Sequence, residues 1–77
     1  MKVGDAVQVR MAEEIDNLCM HDDAIGSHDE ETALEWLLAM EDYCGKSTTI
    51  TEATEYGFRI AADDGKYEWA PSWLNAI

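Results

Sequence analysis

A chain of 77 residues with 17 acidic and only 5 basic side chains, net charge −12, has room for one domain and too little Lys and Arg to hold nucleic acid or an anionic lipid surface. At 47% hydrophobic, with three Trp, three Tyr and one Phe, it is too rich in aromatic side chains for a disordered acidic tail. It lacks a run of about 18 apolar residues that could cross a membrane and an apolar stretch of signal-peptide type, so a cytoplasmic protein is expected.

In chain order, Gly4-Asp5 reads as a turn leading into a strand in which Val7, Val9 and Met11 alternate with Gln8 and Arg10. Met11, Ile15, Leu18 and Cys19 then recur at helical spacing, predicting a short helix from about Ala12 to Met20, and "HDDAIGS" reads as loop. Ser27 and Glu30 have the spacing of a capping box, and Asp29, Glu30 and Glu31 would sit in a first turn where the helix dipole favours negative charge. Leu34, Leu37 and Leu38 form one strip, with Ala33, Leu37, Met40 and Cys44 beside it. Gly45 stands where a left-handed cap belongs, followed by Lys46. The pattern predicts a helix over about 28–44, with Trp36 in the core or at its edge.

After Gly45 the period changes. "STTITEA" is β-branched and alternating; "YGFRIAA" puts Tyr56, Phe58, Ile60 and Ala62 on one face. Asp64-Gly65 predicts a two-residue hairpin turn, with Tyr67 and Trp69 of "KYEWA" returning beside Phe58 and Ile60. Pro71 stops that strand, and "SWLNAI" is expected to form a last short turn carrying Trp73 and Leu74 onto the core. The expected fold is α+β, mainly β: one domain over 1–77, a small barrel of four or five antiparallel strands, interrupted at about 12–45 by an acidic helical insertion. Cys19 and Cys44, each beside apolar residues, read as buried free thiols rather than a disulfide.

Gly4, Asp5, Val7, Val9 and Arg10, then Met40, Tyr43, Gly45, Lys46, Thr49 and Ile50, then Trp69, Pro71 and Leu74 together resemble small phage- and prophage-encoded proteins of the YorP-like group. The resemblance covers roughly half of the chain. It implies an SH3-like barrel and a phage or prophage setting, hence the cytoplasm of a host cell, and no established activity. Residues 12–38 depart from that group's pattern, being longer, more acidic and more helical.

Catalytic and metal chemistry find little footing. Cys19, His21, Asp22, Asp23 and His28 lie close together, but C-x-H with a second His seven residues on is not a zinc spacing. "DDAIGSHDEE" lacks the alternating carboxylates and sixth-position glycine of a calcium loop. Adjacent acids such as Asp22-Asp23 arise by chance in so acidic a chain, and there is no phosphate-cradling glycine loop. No catalytic residue, cofactor or metal is assigned, and a non-enzymatic binding protein is expected.

The charge itself is distributed unevenly. Residues 11–45 hold 11 of the acids (Glu13, Glu14, Asp16, Asp22, Asp23, Asp29, Glu30, Glu31, Glu35, Glu41 and Asp42) and no Lys or Arg. That segment therefore carries −11, leaving −1 for the other 42 residues. Duplex DNA presents about one charge per 1.7 Å of its axis. A dense acidic face can compete with nucleic acid for a groove lined with Lys and Arg. These 11 residues are the candidate partner-binding set. The partner expected is a basic, nucleic-acid-binding host protein inhibited by mimicry, as with anti-CRISPR and other anti-defence proteins. The alternatives are peptide binding through an aromatic strip of Tyr56, Tyr67, Trp69 and Trp73, or a virion or assembly component; a homodimer is compatible with either.

Overall fold

A computed structural model describes residues 1–24 and 26–77; Ile25, within the run read as loop, lies outside the described residues. The fold is mixed α+β and mainly β. Its frame is a four-stranded antiparallel sheet built from β1 (Ala6–Val9), β4 (Ser47–Ala53), β5 (Phe58–Ile60) and β6 (Leu74–Ala76), in the order β5-β4-β1-β6. Between β1 and β4 the chain makes an excursion: α1 (Ala12–Leu18), then a hairpin of β2 (Cys19–Asp22) and β3 (Gly26–Asp29), then a 3₁₀ turn at Leu38–Tyr43. The outer strands β5 and β6 are not paired with each other among the described residues, so the sheet is open rather than a closed barrel.

β1 lies at the centre for the reason its alternation predicts. Val7 and Val9 are 0% and 1% exposed, while Ala6 and Gln8 face solvent. Val7 sits opposite Thr48 and Ala76, and Val9 opposite Leu74. A bulge between Ile50 and Glu52 keeps Ile50 in register with Ile60, and both are buried. The core is aromatic. Trp69 and Trp73 are fully buried; Trp36 packs edge-on against both, with ring centroids 6.1 and 5.3 Å away. The placement of Trp36 in the core agrees with the expectation, as does the burial of Trp73 and Leu74.

Four local expectations are corrected. The helix over 28–44 is absent. Ser27 and Glu30 form no capping box: the Ser27 hydroxyl meets His21 Nδ1 at 2.7 Å across the β2–β3 hairpin. Asp29 instead folds its own turn, accepting N–H bonds from Glu31 (3.2 Å) and Thr32 (2.9 Å), and an acidic side chain that satisfies nearby amides competes with helix. Residues 34–36 then run beside β3, with Trp36 N–H bonded to Ser27 O at 2.9 Å and Glu35 paired with His28. That path buries Trp36 and Met40 and leaves Leu38 81% exposed, whereas a continuous helix would have turned Leu34, Leu37 and Leu38 to one side together. Within the "HDDAIGS" run read as loop, His21 and Asp22 lie on β2 and pair with Ser27 and Gly26 on β3.

The Asp64-Gly65 turn is not a two-residue hairpin. A 3₁₀ turn at Ala61–Asp63 precedes it, and Asp64 and Gly65 take left-handed φ of 56° and 76°. The buried Asp63 carboxylate organises the return. It accepts the N–H groups of Gly65 (3.0 Å) and Tyr67 (3.1 Å) and the indole N–H of Trp69 (2.9 Å). Phe58 and Trp69 form a bridge across it through two backbone bonds of 2.7 and 2.9 Å, and the Gly65 N–H reaches Ile60 O at 3.1 Å. Replacing Asp63 by Asn keeps one acceptor oxygen but loses the charge behind these bonds. A loss of about 1–2 kcal/mol in urea unfolding is expected. Finally, the chain end is a strand as well as a turn: after Pro71–Trp73, β6 pairs antiparallel with β1.

Candidate functional site

The excursion over residues 11–45 is where the charge lies, and ten of its eleven acids are at the surface. Glu13, Glu14 and Asp16 project from α1, a helix of seven residues anchored by the fully buried Ile15, with Glu13 and Glu14 in its first turn. Asp22 and Asp23 lie at the hairpin end, where Asp22 Oδ1 accepts the Ala24 N–H at 2.7 Å. Glu30 and Glu31 follow β3, Glu35 lies beside it, and Glu41 and Asp42 stand on the Leu38–Tyr43 turn.

Basic partners for these acids are few. Glu14 pairs with Arg10 at 3.2 Å, and Asp16 lies 3.8 Å from the His21 ring. Glu13, Asp23, Glu30, Glu31, Glu35, Glu41 and Asp42 are exposed and make no ion pair among the described residues. Lys46 and Lys66 are turned to tyrosine rings, at 5.4 Å from Tyr43 and 5.2 Å from Tyr67. The acids expected on one face of a long helix are instead distributed over a short helix, a hairpin and two turns. What carries over is their exposure.

Asp29 is the exception, at 3% exposed. Besides the Glu31 and Thr32 amides, its carboxylate accepts the hydroxyls of Thr32 (2.8 Å) and of Ser72 (2.9 Å), 43 residues away in sequence. Burial by itself pushes its pKa up; the bonds from Thr32, Ser72 and Glu31 outweigh this and leave it below the usual carboxylate value. Asp29 therefore ties the excursion to the Pro71–Trp73 turn and is removed from the partner-binding set. The Asp29-x-x-Thr32 spacing was a readable turn signal; the bond to Ser72 was not, because nothing local pairs the two.

The residues considered for metal or thiol chemistry are not brought together. Cys19 is buried, His21 Nδ1 faces Ser27, and His28 Nδ1 faces its neighbour's carbonyl, Gly26 O, at 3.3 Å. Among the described residues no group of three or more His, Cys, Asp or Glu is placed to hold a metal ion. Both thiols are free. Burial, then the charges of Asp29 and Asp16, push the Cys19 thiol up to about 11, against a lowering contact from Trp73; burial and Glu41 also raise Cys44. Neither is a thiolate at neutral pH.

The aromatic strip does not exist as a surface. Trp69 and Trp73 are 0% exposed, and Tyr67 is half-buried against Tyr43; only Tyr56, at 54%, stands clear. A cleft of about 370 Å³ lies between α1 and the Pro71–Trp73 turn, lined by Arg10, Glu14, Asn17, Leu18 and Ser72, and a second depression of about 420 Å³ is lined by Ala24, His28, Ala33 and Glu35. No described helix is long and apolar enough to cross a membrane. Comparison with known proteins finds no matching family model, no significantly similar curated protein and no significantly similar solved structure.

Proposed function

We propose that this chain is a non-catalytic binding protein whose acidic excursion docks on a basic, nucleic-acid-binding protein and occludes its nucleic-acid groove. One observation carries the reading: seven carboxylates of the excursion stand exposed without an ion-pair partner among the described residues, in a segment that has no Lys or Arg. Maintaining uncompensated like charge on one segment costs self-repulsion. Attraction to a Lys- and Arg-lined groove converts that repulsion into association. Anti-defence activity of the anti-CRISPR kind, in the cytoplasm of a phage-infected host, is the setting this reading draws from the phage-type resemblance. An SH3-like frame belongs to the same proposal, supported by the antiparallel order β5-β4-β1-β6 with a 3₁₀ turn before the last strand.

The test is charge reversal. Glu30, Glu31 and Asp42 are exposed and outside the core, so converting all three to Lys should preserve the fold while moving the excursion from −11 to −5. In pull-downs from host lysate, basic proteins captured by the wild type should be lost by the triple variant. Capture should also fall steeply as ionic strength rises, because charges separated by more than about 8–10 Å are screened near physiological salt. Equal capture by the two chains, with no salt dependence, would refute the proposal.

A further inference from the structure

Glu14, Asn17 and Leu18 recur at i, i+3 and i+4, so one stripe along α1 lines the cleft together with Ser72 and with Arg10, which precedes the helix. The cleft is charged in name and apolar in substance. Arg10 is held by two bonds, Nη1 to Glu14 Oε2 at 3.2 Å and Nε to Ser72 O at 2.8 Å, so the two charged heads satisfy each other and their aliphatic stems line the space. Carbon atoms make up most of its wall, and Leu18 remains 40% exposed there. Met11 and Met20, 55% and 53% exposed, lie just before and just after α1 in the chain. The other charged side chains of α1 are Glu13 and Asp16, both exposed and both negative.

We propose that this cleft is an anchor slot for the apolar face of a basic amphipathic helix belonging to the partner; the inference rests on the basic-partner reading above and adds what the partner must present besides charge. About 370 Å³ accommodates more than one aliphatic side chain, as helix-in-groove docking requires of anchors at i, i+3 and i+4. Charge complementarity selects the occupant. The cleft's own charges, Arg10 and Glu14, cancel, but its α1 wall belongs to a segment that carries −11 with no Lys or Arg; this matches Lys or Arg flanking Leu or Ile, and it disfavours a second copy of this chain, which would bring another −12 to the same place.

The experiment uses the full chain and two synthetic helical peptides of equal length and charge, one built from Lys and Leu and the other from Lys and Gln, with binding followed by fluorescence anisotropy. The Lys/Leu peptide should bind about tenfold tighter, the worth of roughly one buried leucyl contact. Leu18→Asn should remove most of that preference while leaving affinity for the Lys/Gln peptide unchanged, which also verifies that the fold survives. Leu38→Asn, at a side chain 81% exposed and outside the cleft, should leave the preference intact. Equal binding of the two peptides, or an equal loss from Leu18→Asn and Leu38→Asn, overturns the anchor slot and leaves the basic-partner reading standing. Binding of neither peptide at low salt overturns both.

Discussion

Gly57→Ala is expected to leave the chain mostly unfolded. A Cβ at Gly57 would lie 2.1 Å from Trp69 O and 2.9 Å from Trp69 C, with Leu34 Cδ1 at 3.1 Å on another side. The first two atoms are backbone and cannot swing aside as a side-chain end can. They also belong to the residue that bonds Phe58 in both directions, at 2.9 Å from Phe58 N–H to Trp69 O and 2.7 Å from Trp69 N–H to Phe58 O. Making room means breaking that bridge or displacing Trp69, whose ring packs against Trp36, Tyr43 and Trp73 at centroid distances of 6.1–6.4 Å. Overpacking costs about 1–3 kcal/mol and occasionally more, and a 2.1 Å approach to backbone belongs at the upper end. A domain this small has only about 3–5 kcal/mol in hand. Tryptophan fluorescence and near-ultraviolet circular dichroism of the purified variant give the answer. A native spectrum with an unchanged urea midpoint would show that the Gly57–Trp69 approach is not this close.

Asp29→Ala is the second large effect expected, a loss of about 3 kcal/mol, because four donors lose a charged acceptor at once and part of the site is buried. Asp29→Asn separates charge from shape. The carboxyl is held below its ordinary value of 3.8 in the folded protein, so its ionised form stabilises the fold. That contribution is complete above the unfolded value and is lost as pH falls through the folded one. The stability gap between wild type and Asp29→Asn should therefore be widest near neutrality and close progressively below about pH 4. Urea midpoints of the two chains, measured from neutral pH down to about pH 3, report it directly. A gap independent of pH would mean that the carboxylate charge adds nothing.

The two variants also separate fold from function. Gly57 and Asp29 lie inside the structure, whereas Glu30, Glu31 and Asp42 project from it. Loss of partner capture by the charge-reversed chain is thus interpretable only when its melting behaviour stays close to wild type, unlike Gly57→Ala or Asp29→Ala.

How much was legible follows from where each element obtains its stability. β1, β4 and β5 were readable because alternation along one strand already says which side is buried, and Val7, Val9, Ile50 and Ile60 are buried accordingly. The short helix α1 was readable only in part: Ile15 is buried as the helical period predicts, but Met11 and Leu18 of the same set are exposed, and Cys19 and Met20 belong to β2 rather than to the helix. The surface position of most acids was legible too, since an unpaired carboxylate is costly to bury; Asp29 and Asp63 are buried because each has donors gathered around it.

What the sequence alone determined is the mainly β character, the position of the short first helix, an aromatic core and the concentration of −11 in residues 11–45. Only the tertiary structure decided the path of residues 28–44. Local propensity and a capping box there favour a helix, but both are worth about 1 kcal/mol or less per residue or cap. Packing Trp36 against Trp69 and Trp73, and joining Asp29 to Ser72, are contacts between segments remote in the chain, and together they outweigh it.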